Sequence, residues 1–319
     1  MIATVVRSRT DLADGICLLE LAAADGAALP GFGAGDHIDL ELGPNLVRSY
    51  SLCDTPTGAP SAYRVAIALD PASRGGSRRV HELAERDRVD IRAPVGHFPL
   101  VEEAAHTVLV AGGIGVTPIV SMARRLTELG ASWGLHYAVR TRSVAAFVPE
   151  LEHLAETAGA HFALHVDDEM PDDDRVLPLR PLVDGAPSGA HFYCCGPGPM
   201  LDAFLAATAD VAPERVHVER FRAEPVEPDA EDGGFEVELA RSGSTFEIGP
   251  EDTVLDVLLD NDVDVDFSCM EGICGSCRVQ VLDGAPDHRD TTLNATEREA
   301  GVMLVCCSRA KGRRLVLDL

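Results

Sequence analysis

The chain has 319 residues, of which 46% are hydrophobic, and a formal net charge of −25 at pH 7. This apolar content is sufficient for folded cores and excludes a wholly disordered chain. The strong acidity argues against partners that need a basic surface, namely nucleic acids and anionic membranes.

The longest apolar run, TVLVAGGIGVTPIVSMA at residues 107–123, contains three glycines and a proline. It is too short and too interrupted to span a membrane, and the first fifteen residues lack a signal-peptide core. We therefore expect a cytoplasmic protein, and separately we expect a monomer. Thiols stay reduced in that compartment, so closely spaced cysteines indicate metal or redox chemistry rather than disulfides.

Residues 1–100 predict a small antiparallel β-barrel. Short strands such as YRVAIAL (63–69) and RVDIRAP (88–94) alternate with glycine-containing turns, as is typical of such barrels. The segment RGGSRRVHEL (74–83) places two glycines and a serine before a helical stretch. The first N–H groups of a helix can hold a phosphate, so this segment is a candidate anion site.

Residues 101–222 predict an α/β domain, because apolar strands alternate with helical stretches and so favour a parallel sheet covered by helices on both faces. The predicted strands are 106–111, 135–140, 161–166 and 190–195, and the predicted helices are 118–129, 147–158 and 199–208.

Two glycine-containing loops each connect a strand to a helix in this domain. The first, GGIGVTP, could admit a ligand to the backbone at Gly112, Gly113 and Gly115, and Thr117 could cap the helix. The second, CGPGPM, begins at Cys195. One such loop alone is weak support for nucleotide binding, because strand–helix turns of this kind often serve packing only.

The acidic segment 223–233, with two prolines, predicts a solvated linker. A third domain follows at 234–319. A hairpin (FEVEL, TFEI), a helix that Thr253 and Asp256 could cap, and a terminal strand predict a compact α+β sheet.

Cysteines cluster in FSCMEGICGSC, where Cys269, Cys274 and Cys277 have the spacing C-x4-C-x2-C, with Cys306 further on. This is the plant-type ferredoxin spacing for a [2Fe–2S] cluster. Structural zinc usually takes two C-x2-C pairs, and only one is present here. The adjacent Cys307 leaves the identity of the fourth ligand open on spacing alone.

Residues 269–310, including CGSC, DHRD and CCSRA, resemble the ferredoxin domain of the phthalate dioxygenase reductase family, as does the ending LVLDL. Upstream, RSYSL, GGIGVTP and CGPGPM follow that family's order of flavin, nicotinamide and ferredoxin domains. The resemblance implies an FMN-binding β-barrel, an NADH-binding α/β domain and a β-grasp ferredoxin domain. It also assigns the fourth cluster ligand to Cys306 and leaves Cys307 as a buried neighbour.

The resemblance further implies the flavin contacts. Arg48 would pair with the FMN phosphate, Tyr50 would pack on the flavin, and Ser51 would reach its redox edge. The remaining implied contacts are Ser49, Ala66, Ile67, Ala68, Arg74, Gly75, Gly76 and Ser77. The chain lacks a basic side chain at positions 68 and 69, where a family member can carry one.

For the nicotinamide, the resemblance implies a pocket lined by Cys195, Gly196 and Pro197, with Met200 supporting the loop. Phe221, in HVERF, would cover the flavin ring where the nicotinamide enters. The catalytic residues implied in this way are Ser51, Thr117, Cys195 and Phe221.

The choice between NADH and NADPH depends on charge near the ribose. Arg140 and Arg142 could hold a 2′-phosphate, whereas Asp167 and Asp168 would repel it. The family resemblance favours NADH.

A hydride carries two electrons and the cluster accepts one at a time, so a flavin is needed between them. The sequence therefore predicts an oxidoreductase that passes electrons from NADH through FMN and [2Fe–2S] to a terminal oxygenase, such as a Rieske-type aromatic dioxygenase or O-demethylase. A haem-thiolate monooxygenase as acceptor and a redox-sensing module remain alternatives. Four acids before the cysteine loop indicate either a docking surface for a basic partner or general acidity: Asp260, Asp262, Asp264 and Asp266.

Overall fold

The structure is a computed structural model that describes residues 1–43, 46–55, 58–71, 73, 75–171, 175–221, 233–270, 272–290 and 292–319. The chain divides into two compact units, Met1–Phe221 and Arg222–Leu319. Arg74 and all of the predicted linker except Gly233 lie outside the described residues.

The first part of unit one is the antiparallel barrel. Its strands are β1 (Ile2–Ala13), β2 (Ile16–Ala23), β3 (Asp36–Gly43), β4 (Leu46–Ser51), β5 (Tyr63–Ala68), β6 (Arg88–Ile91) and β7 (Val95–Gly96), with one helix, α1 (Gly76–His81). The sheet order is β4-β3-β6-β1-β2-β5, with β7 paired to β3. A bridge between Leu52 and Val65 joins the two ends. The predicted barrel is therefore confirmed.

The second part of unit one is the parallel sheet with the predicted helices. It contains β8 (Thr107–Gly112), α2 (Val116–Leu129), β9 (Trp133–Val139), α3 (Val148–Ala158), β10 (His161–Val166), α4 (Leu179–Asp184), β11 (His191–Cys195), α5 (Gly198–Ala207) and β12 (Val216–Glu219). All strand pairs are parallel, in the order β10-β9-β8-β11-β12. The strand order reverses between β8 and β11, which is where such sheets bind ligands.

The two faces of the parallel sheet bury different side chains, because successive residues of a strand point to opposite sides. Cys194 packs with α4 and α5 on one face, as expected for a core thiol. Cys195 lies on the other face, in a core with α2 and α3 that also contains the barrel residues Cys53 and Ala66. The barrel and the parallel sheet therefore share one core. The boundaries 1–100, 101–222 and 234–319 remain predictions.

Unit two has the strand order of a β-grasp. Its elements are β13 (Phe235–Leu239), β14 (Thr245–Ile248), α6 (Val254–Asp260), β15 (Arg278–Asp283), β16 (Pro286–Asp287), α7 (Ala295–Glu299), β17 (Val302–Leu304), β18 (Arg309–Ala310) and β19 (Arg314–Leu317). The main sheet runs β14-β13-β19-β15-β17, with β13 and β19 parallel. Thr253 caps α6 by accepting a hydrogen bond from the Asp256 N–H, as predicted.

Candidate functional site

The Arg48 side chain lies against the first turn of α1. A Cβ placed on Gly76 would stand 2.6 Å from Arg48 Cγ, so only glycine allows this approach. Gly75 turns the chain into the helix with φ +103°, a conformation that other residues rarely adopt. A guanidinium therefore lies beside the first N–H groups of a helix, and these are donors that a phosphate group requires.

Ser77 and its neighbours anchor this turn to the barrel. The Ser77 hydroxyl accepts a hydrogen bond from the Asp70 N–H at 3.1 Å, and His81 Nε2 lies 3.0 Å from the Ile67 carbonyl oxygen. Ser77, which the sequence predicts to contact a phosphate, therefore also has a structural role. A hydroxyl that accepts one bond can still donate another to an anion.

The remaining predicted flavin residues lie on β4 and β5. Tyr50 is two residues from Arg48 and so shares its side of β4, and burial raises the pKa of its phenol. Ser49 points to the other side, where its hydroxyl donates to Asp39 Oδ1 at 2.7 Å. The structure therefore does not place the Ser49 side chain with those of Arg48 and Tyr50.

Ser51, which ends β4, is buried, and it pairs with His37 across the sheet. On β5, Ala66 and Ile67 are buried and Ala68 is partly buried. These three residues end β5, beyond the bridge between Val65 and Leu52, the residue that follows β4.

The two glycine-containing loops of the parallel sheet interlock. A Cβ on Gly115 would lie 2.3 Å from the Cys195 carbonyl oxygen, and one on Gly196 would lie 2.8 Å from Met200 Sδ. A Cβ on Gly112 would stand 2.7 Å from both Pro197 Cδ and Met200 Sδ. These glycines therefore let the loops pack together. Met200 lies at this contact, on α5.

Gly113 differs from the other glycines of this first loop. It has φ +54°, and a Cβ there would meet nothing within 4 Å. The predicted close approach of a ligand to the backbone is therefore least obstructed at Gly113.

The predicted cap at Thr117 is wrong in its geometry. The N-cap of α2 is Gly115 and makes no side-chain cap bond. The Thr117 hydroxyl donates backwards to the Ile114 carbonyl at 3.0 Å, because Thr117 already lies inside the first turn. Thr117 is buried on this turn, at the start of α2.

Glu219 is a site residue that the sequence reasoning missed. It pairs with Cys195 in the parallel register of β11 and β12, and the Cys195 thiol donates to Glu219 Oε2 at 3.9 Å. Burial raises the pKa of the Glu219 carboxyl to about 8 and raises the pKa of the Cys195 thiol well above its usual value. A neutral acid and a neutral thiol therefore meet at the carboxyl end of β11 at neutral pH.

Phe221 follows this pair by two residues and is 37% exposed, so an aromatic ring lies at the surface near the same strand ends. Toward the opposite edge of the sheet from β12, Arg140 directly follows β9 and Asp167 directly follows β10. The Arg140 carbonyl accepts a hydrogen bond from the Asp168 N–H at 3.1 Å, which holds these two strand ends together.

The four predicted cluster cysteines lie in one loop region of unit two as two pairs. The N–H groups of Cys269 and Cys274 each donate to the other's sulfur at 3.4 Å. Side-chain hydrogen bonds join Cys269 to Cys274 and Cys306 to Cys277; in each pair the bond lowers the pKa of the acceptor, Cys274 or Cys277, and raises the pKa of its partner. Two neighbouring thiol pairs fit two iron atoms, and thiolate is the form that binds metal.

Backbone donors also point at these sulfurs. The Gly272 N–H donates to Cys306 Sγ at 3.1 Å, and the Ser276 N–H donates to Cys274 Sγ at 3.5 Å. Such N–H···S bonds stabilise a negatively charged cluster and influence its potential. Within the described ranges, no group of three or more His, Cys, Asp or Glu side chains is placed to hold a single metal ion.

Cys307 lies beside the same loop but in a different environment from Cys306. A Cβ on Gly272 would stand 2.5 Å from Cys307 Sγ, and this thiol is 3.9 Å from the Leu304 carbonyl oxygen. Cys306 is buried, whereas Cys307 is only partly buried, which corrects the expectation of a buried neighbour.

Comparison with known proteins identifies the iron–sulfur domain and the NAD-binding domain. Residues 237–311 match the 2Fe-2S iron-sulfur cluster binding domain family, and residues 109–205 match the oxidoreductase NAD-binding domain family. A vanillate O-demethylase oxidoreductase from Pseudomonas sp. strain HR199 is 40% identical over 100% of both chains. A solved structure of phthalate dioxygenase reductase superimposes with a TM-score of 0.80 and 35% identity, over 100% of this chain and 98% of that one. The chain belongs to the phthalate dioxygenase reductase family.

Other proteins similar to this chain are named for different reactions. A tetrachlorobenzoquinone reductase from Sphingobium chlorophenolicum is 46% identical over 97% of this chain and 95% of its own length. An intact type IV self-sufficient cytochrome P450 monooxygenase superimposes with a TM-score of 0.81 and 39% identity over 100% of this chain, which spans 41% of that longer chain.

Membership in the phthalate dioxygenase reductase family makes this chain an oxidoreductase with an NAD-binding domain and a [2Fe–2S] domain. In the part of the chain that the structure describes, no helix is long and apolar enough to cross a bilayer. The cytoplasmic location and the monomeric state remain predictions.

Proposed function

We propose that this chain transfers electrons from NADH through FMN and its [2Fe–2S] cluster to a terminal oxygenase of the Rieske type that acts on an aromatic substrate, as a dioxygenase or an O-demethylase. The observation that carries the proposal is the set of four cysteines in two thiol pairs, in a chain that also has an NAD-binding domain. One part of the chain receives electrons from a nucleotide, and the other part can pass them on singly.

The barrel supplies the groups that would hold FMN. Arg48 and the start of α1 at Gly75 and Gly76 provide cationic and N–H donors for its single phosphate. Tyr50, on the same side of β4, would pack on the ring. When bound, FMN supplies the conversion between a two-electron donor and a one-electron acceptor.

The interlocked loops of the parallel sheet would hold and orient the nicotinamide. Gly113 provides the open backbone, and the Cys195–Glu219 pair lies at the adjacent strand ends. Because burial raises the pKa of Glu219 to about 8, its carboxyl is mostly protonated at neutral pH. It can therefore hold a proton beside the reacting groups without adding a negative charge. Phe221 would cover the entry for the nicotinamide.

NADH is favoured over NADPH by the partners of the nearby charged groups. The guanidinium of Arg142 makes two hydrogen bonds to the Glu169 carboxylate, at 2.8 and 2.6 Å. This pairing neutralises one of the two arginines that could hold a 2′-phosphate, while Asp167 and Asp168 add negative charge nearby. We expect NADPH to support a much lower rate than NADH.

The oxygenase as acceptor is supported by the vanillate O-demethylase and phthalate dioxygenase systems named for two relatives. A haem-thiolate monooxygenase is a second candidate, because a segment similar to this whole chain makes up 41% of a self-sufficient cytochrome P450 monooxygenase. A quinone is a third possible acceptor class, suggested by the tetrachlorobenzoquinone reductase.

The proposal is tested by purifying the protein with FMN and measuring cytochrome c reduction with NADH and with NADPH. Rapid, NADH-selective reduction that depends on the cluster is expected, and it would exclude a redox sensor with a vestigial flavin site. A preparation that binds FMN and iron but does not oxidise NADH would contradict the proposal. Replacing cytochrome c with a Rieske oxygenase, a P450 or a quinone then separates the three acceptor classes.

A further inference from the structure

One face of α2 holds the chain segment that directly follows the flavin strand β4. The Ser121 hydroxyl donates to the Asp54 carbonyl oxygen at 2.7 Å, and Arg124 Nη1 donates to the Cys53 carbonyl oxygen at 2.5 Å. Both acceptors are main-chain atoms. The two side chains are three residues apart and so share one helix face, and together they fix the position of the backbone.

The surroundings of Arg124 make this contact rigid. Its side chain is 8% exposed, and its Nε donates to Glu150 Oε1 on α3 at 2.5 Å. Its Nη1 also lies 3.3 Å from Asp54 Oδ1, and the same carboxylate binds Arg64 Nε at 2.5 Å. Four charged groups therefore form a network that is buried at Arg124 and partly buried at the other three residues, in which removing Arg124 leaves the two carboxylates poorly compensated.

The position of this network in the chain gives it a functional meaning. At its N-terminal end, α2 follows the loop of Gly112 to Gly115, which interlocks with the loop after Cys195. The backbone that Arg124 holds begins two residues after Ser51, the end of the strand that also carries Arg48 and Tyr50. The helix α2 therefore joins the two interlocked glycine-containing loops (the nucleotide loops) to the flavin strand β4.

We propose that Arg124 is a positioning residue for hydride transfer, which fixes the flavin strand at the distance from the nucleotide loops that the reaction requires. Ser121 assists it through the neighbouring carbonyl. This inference rests on the proposed function, because it presupposes that NADH reduces a flavin held at β4. Hydride transfer is sensitive to small displacements, so a shift of about 1 Å can lower its rate about a hundredfold.

The test compares Arg124→Met, Arg124→Lys and Ser121→Ala with the control Arg125→Met. Arg125 lies next to Arg124 on α2, but it binds Glu102 and Glu128 rather than the flavin strand. Anaerobic stopped-flow flavin reduction at several NADH concentrations separates the limiting rate from the dissociation constant. Deuterated NADH confirms that hydride transfer is the step observed.

We expect Arg124→Met to lower the limiting rate per bound flavin about ten- to hundredfold, with NADH affinity changed by no more than about threefold. Arg124→Lys keeps the charge but cannot reach the Cys53 carbonyl and Glu150 together, so its rate should also fall. Ser121→Ala should produce a smaller decrease, and Arg125→Met should retain the wild-type rate. Without FMN, hydrogen exchange in a peptide covering residues 50–55 should be faster in Arg124→Met than in Arg125→Met.

The inference is wrong if the Arg124 variants lose thermal stability or flavin content but keep the wild-type rate per bound flavin. It is also wrong if Arg125→Met lowers the rate as much as Arg124→Met. If Arg124→Met does not fold, Arg124→Lys and Ser121→Ala decide the question by the same criterion. A wild-type protein whose bound flavin is not reduced by NADH would instead contradict the proposed function.

Discussion

Cys306 and Cys307 are adjacent in the chain, but their sulfurs have different surroundings. Cys306 pairs with Cys277, is also hydrogen-bonded to Cys307 and accepts a hydrogen bond from the Gly272 N–H, whereas Cys307 lies beside the Gly272 Cα and is not paired with Cys277 in this way. We therefore predict that Cys306→Ser abolishes the normal cluster and that Cys307→Ser retains about two irons per chain. Iron and sulfide analysis with electron paramagnetic resonance of the reduced protein would measure this. A normal cluster in Cys306→Ser would show that the two assignments are reversed.

Glu219 should make stability depend on pH in a specific direction. Its pKa is raised from 4.5 to about 8 by burial, so the folded state keeps a proton that the unfolded state loses between these values. The stabilisation that this retained proton gives the folded state is full below pH 4.5 and is lost as pH rises through about 8. Relative to Glu219→Gln, the wild-type free energy of unfolding should fall by about 2–4 kcal/mol over this range.

Chemical unfolding of both proteins at pH 5, 6, 7 and 8 would measure this difference. Glu214→Gln is a matched control, because Glu214 lies in the turn just before β12 and is exposed. Parallel curves for the wild type and Glu219→Gln would mean that the Glu219 carboxyl titrates normally.

Functional residues could be identified from the sequence where their role depends on their spacing along the chain. The cluster cysteines are of this kind, because three of them lie in one loop and bind within a few residues of each other. Glu219 was not predictable, because it meets Cys195 only through the pairing of β11 with β12. No sequence pattern near HVERF specifies that register.

At the scale of elements, the interlocked loops should tolerate no side chain at Gly115. A Cβ there would lie 2.3 Å from the Cys195 carbonyl oxygen, and backbone atoms must move to admit it. Gly115→Ala should therefore lower the free energy of unfolding by about 1–3 kcal/mol and weaken NADH binding about tenfold or more. Denaturant unfolding and fluorescence titration with NADH would measure the two effects.

Gly198→Ala is the control for that substitution. Gly198 starts α5 in the second loop, and a Cβ there would meet nothing within 4 Å. Its stability should change by less than about 1 kcal/mol. Equal effects of the two substitutions would contradict the packing role of Gly115.

The four predicted strands and three predicted helices of the parallel-sheet domain lie within about two residues of their observed ends, because buried parallel strands are continuous apolar runs. The sequence did not predict α4 or β12. The start of α2 was less predictable. Thr117 and Pro118 are typical of a helix start, yet the helix begins at Val116 after a 3-10 turn at Gly113–Gly115. Glycine at the N-cap leaves no side-chain signal from which the first residue could be located.

For the whole molecule, the charge of −25 should influence the choice of partner. The acids before the cysteine loop, Asp260, Asp262, Asp264 and Asp266, are all exposed. If they contact a basic acceptor, its reduction rate should fall about tenfold between low and 0.2 M salt. The double variant Asp262→Asn and Asp264→Asn should reduce this salt dependence, whereas Asp14→Asn and Asp25→Asn should not. A reduction rate independent of ionic strength would mean that the acids have no docking role.

The central claim is that one chain carries electrons from NADH through a flavin to a [2Fe–2S] cluster. An anaerobic titration with NADH, followed by absorbance and by electron paramagnetic resonance, tests it most directly. We expect bleaching of the flavin absorbance and then a rhombic one-electron signal from the cluster, and we expect Cys306→Ser to lose that signal. Absence of that signal, together with zinc in place of iron in metal analysis, would contradict the claim.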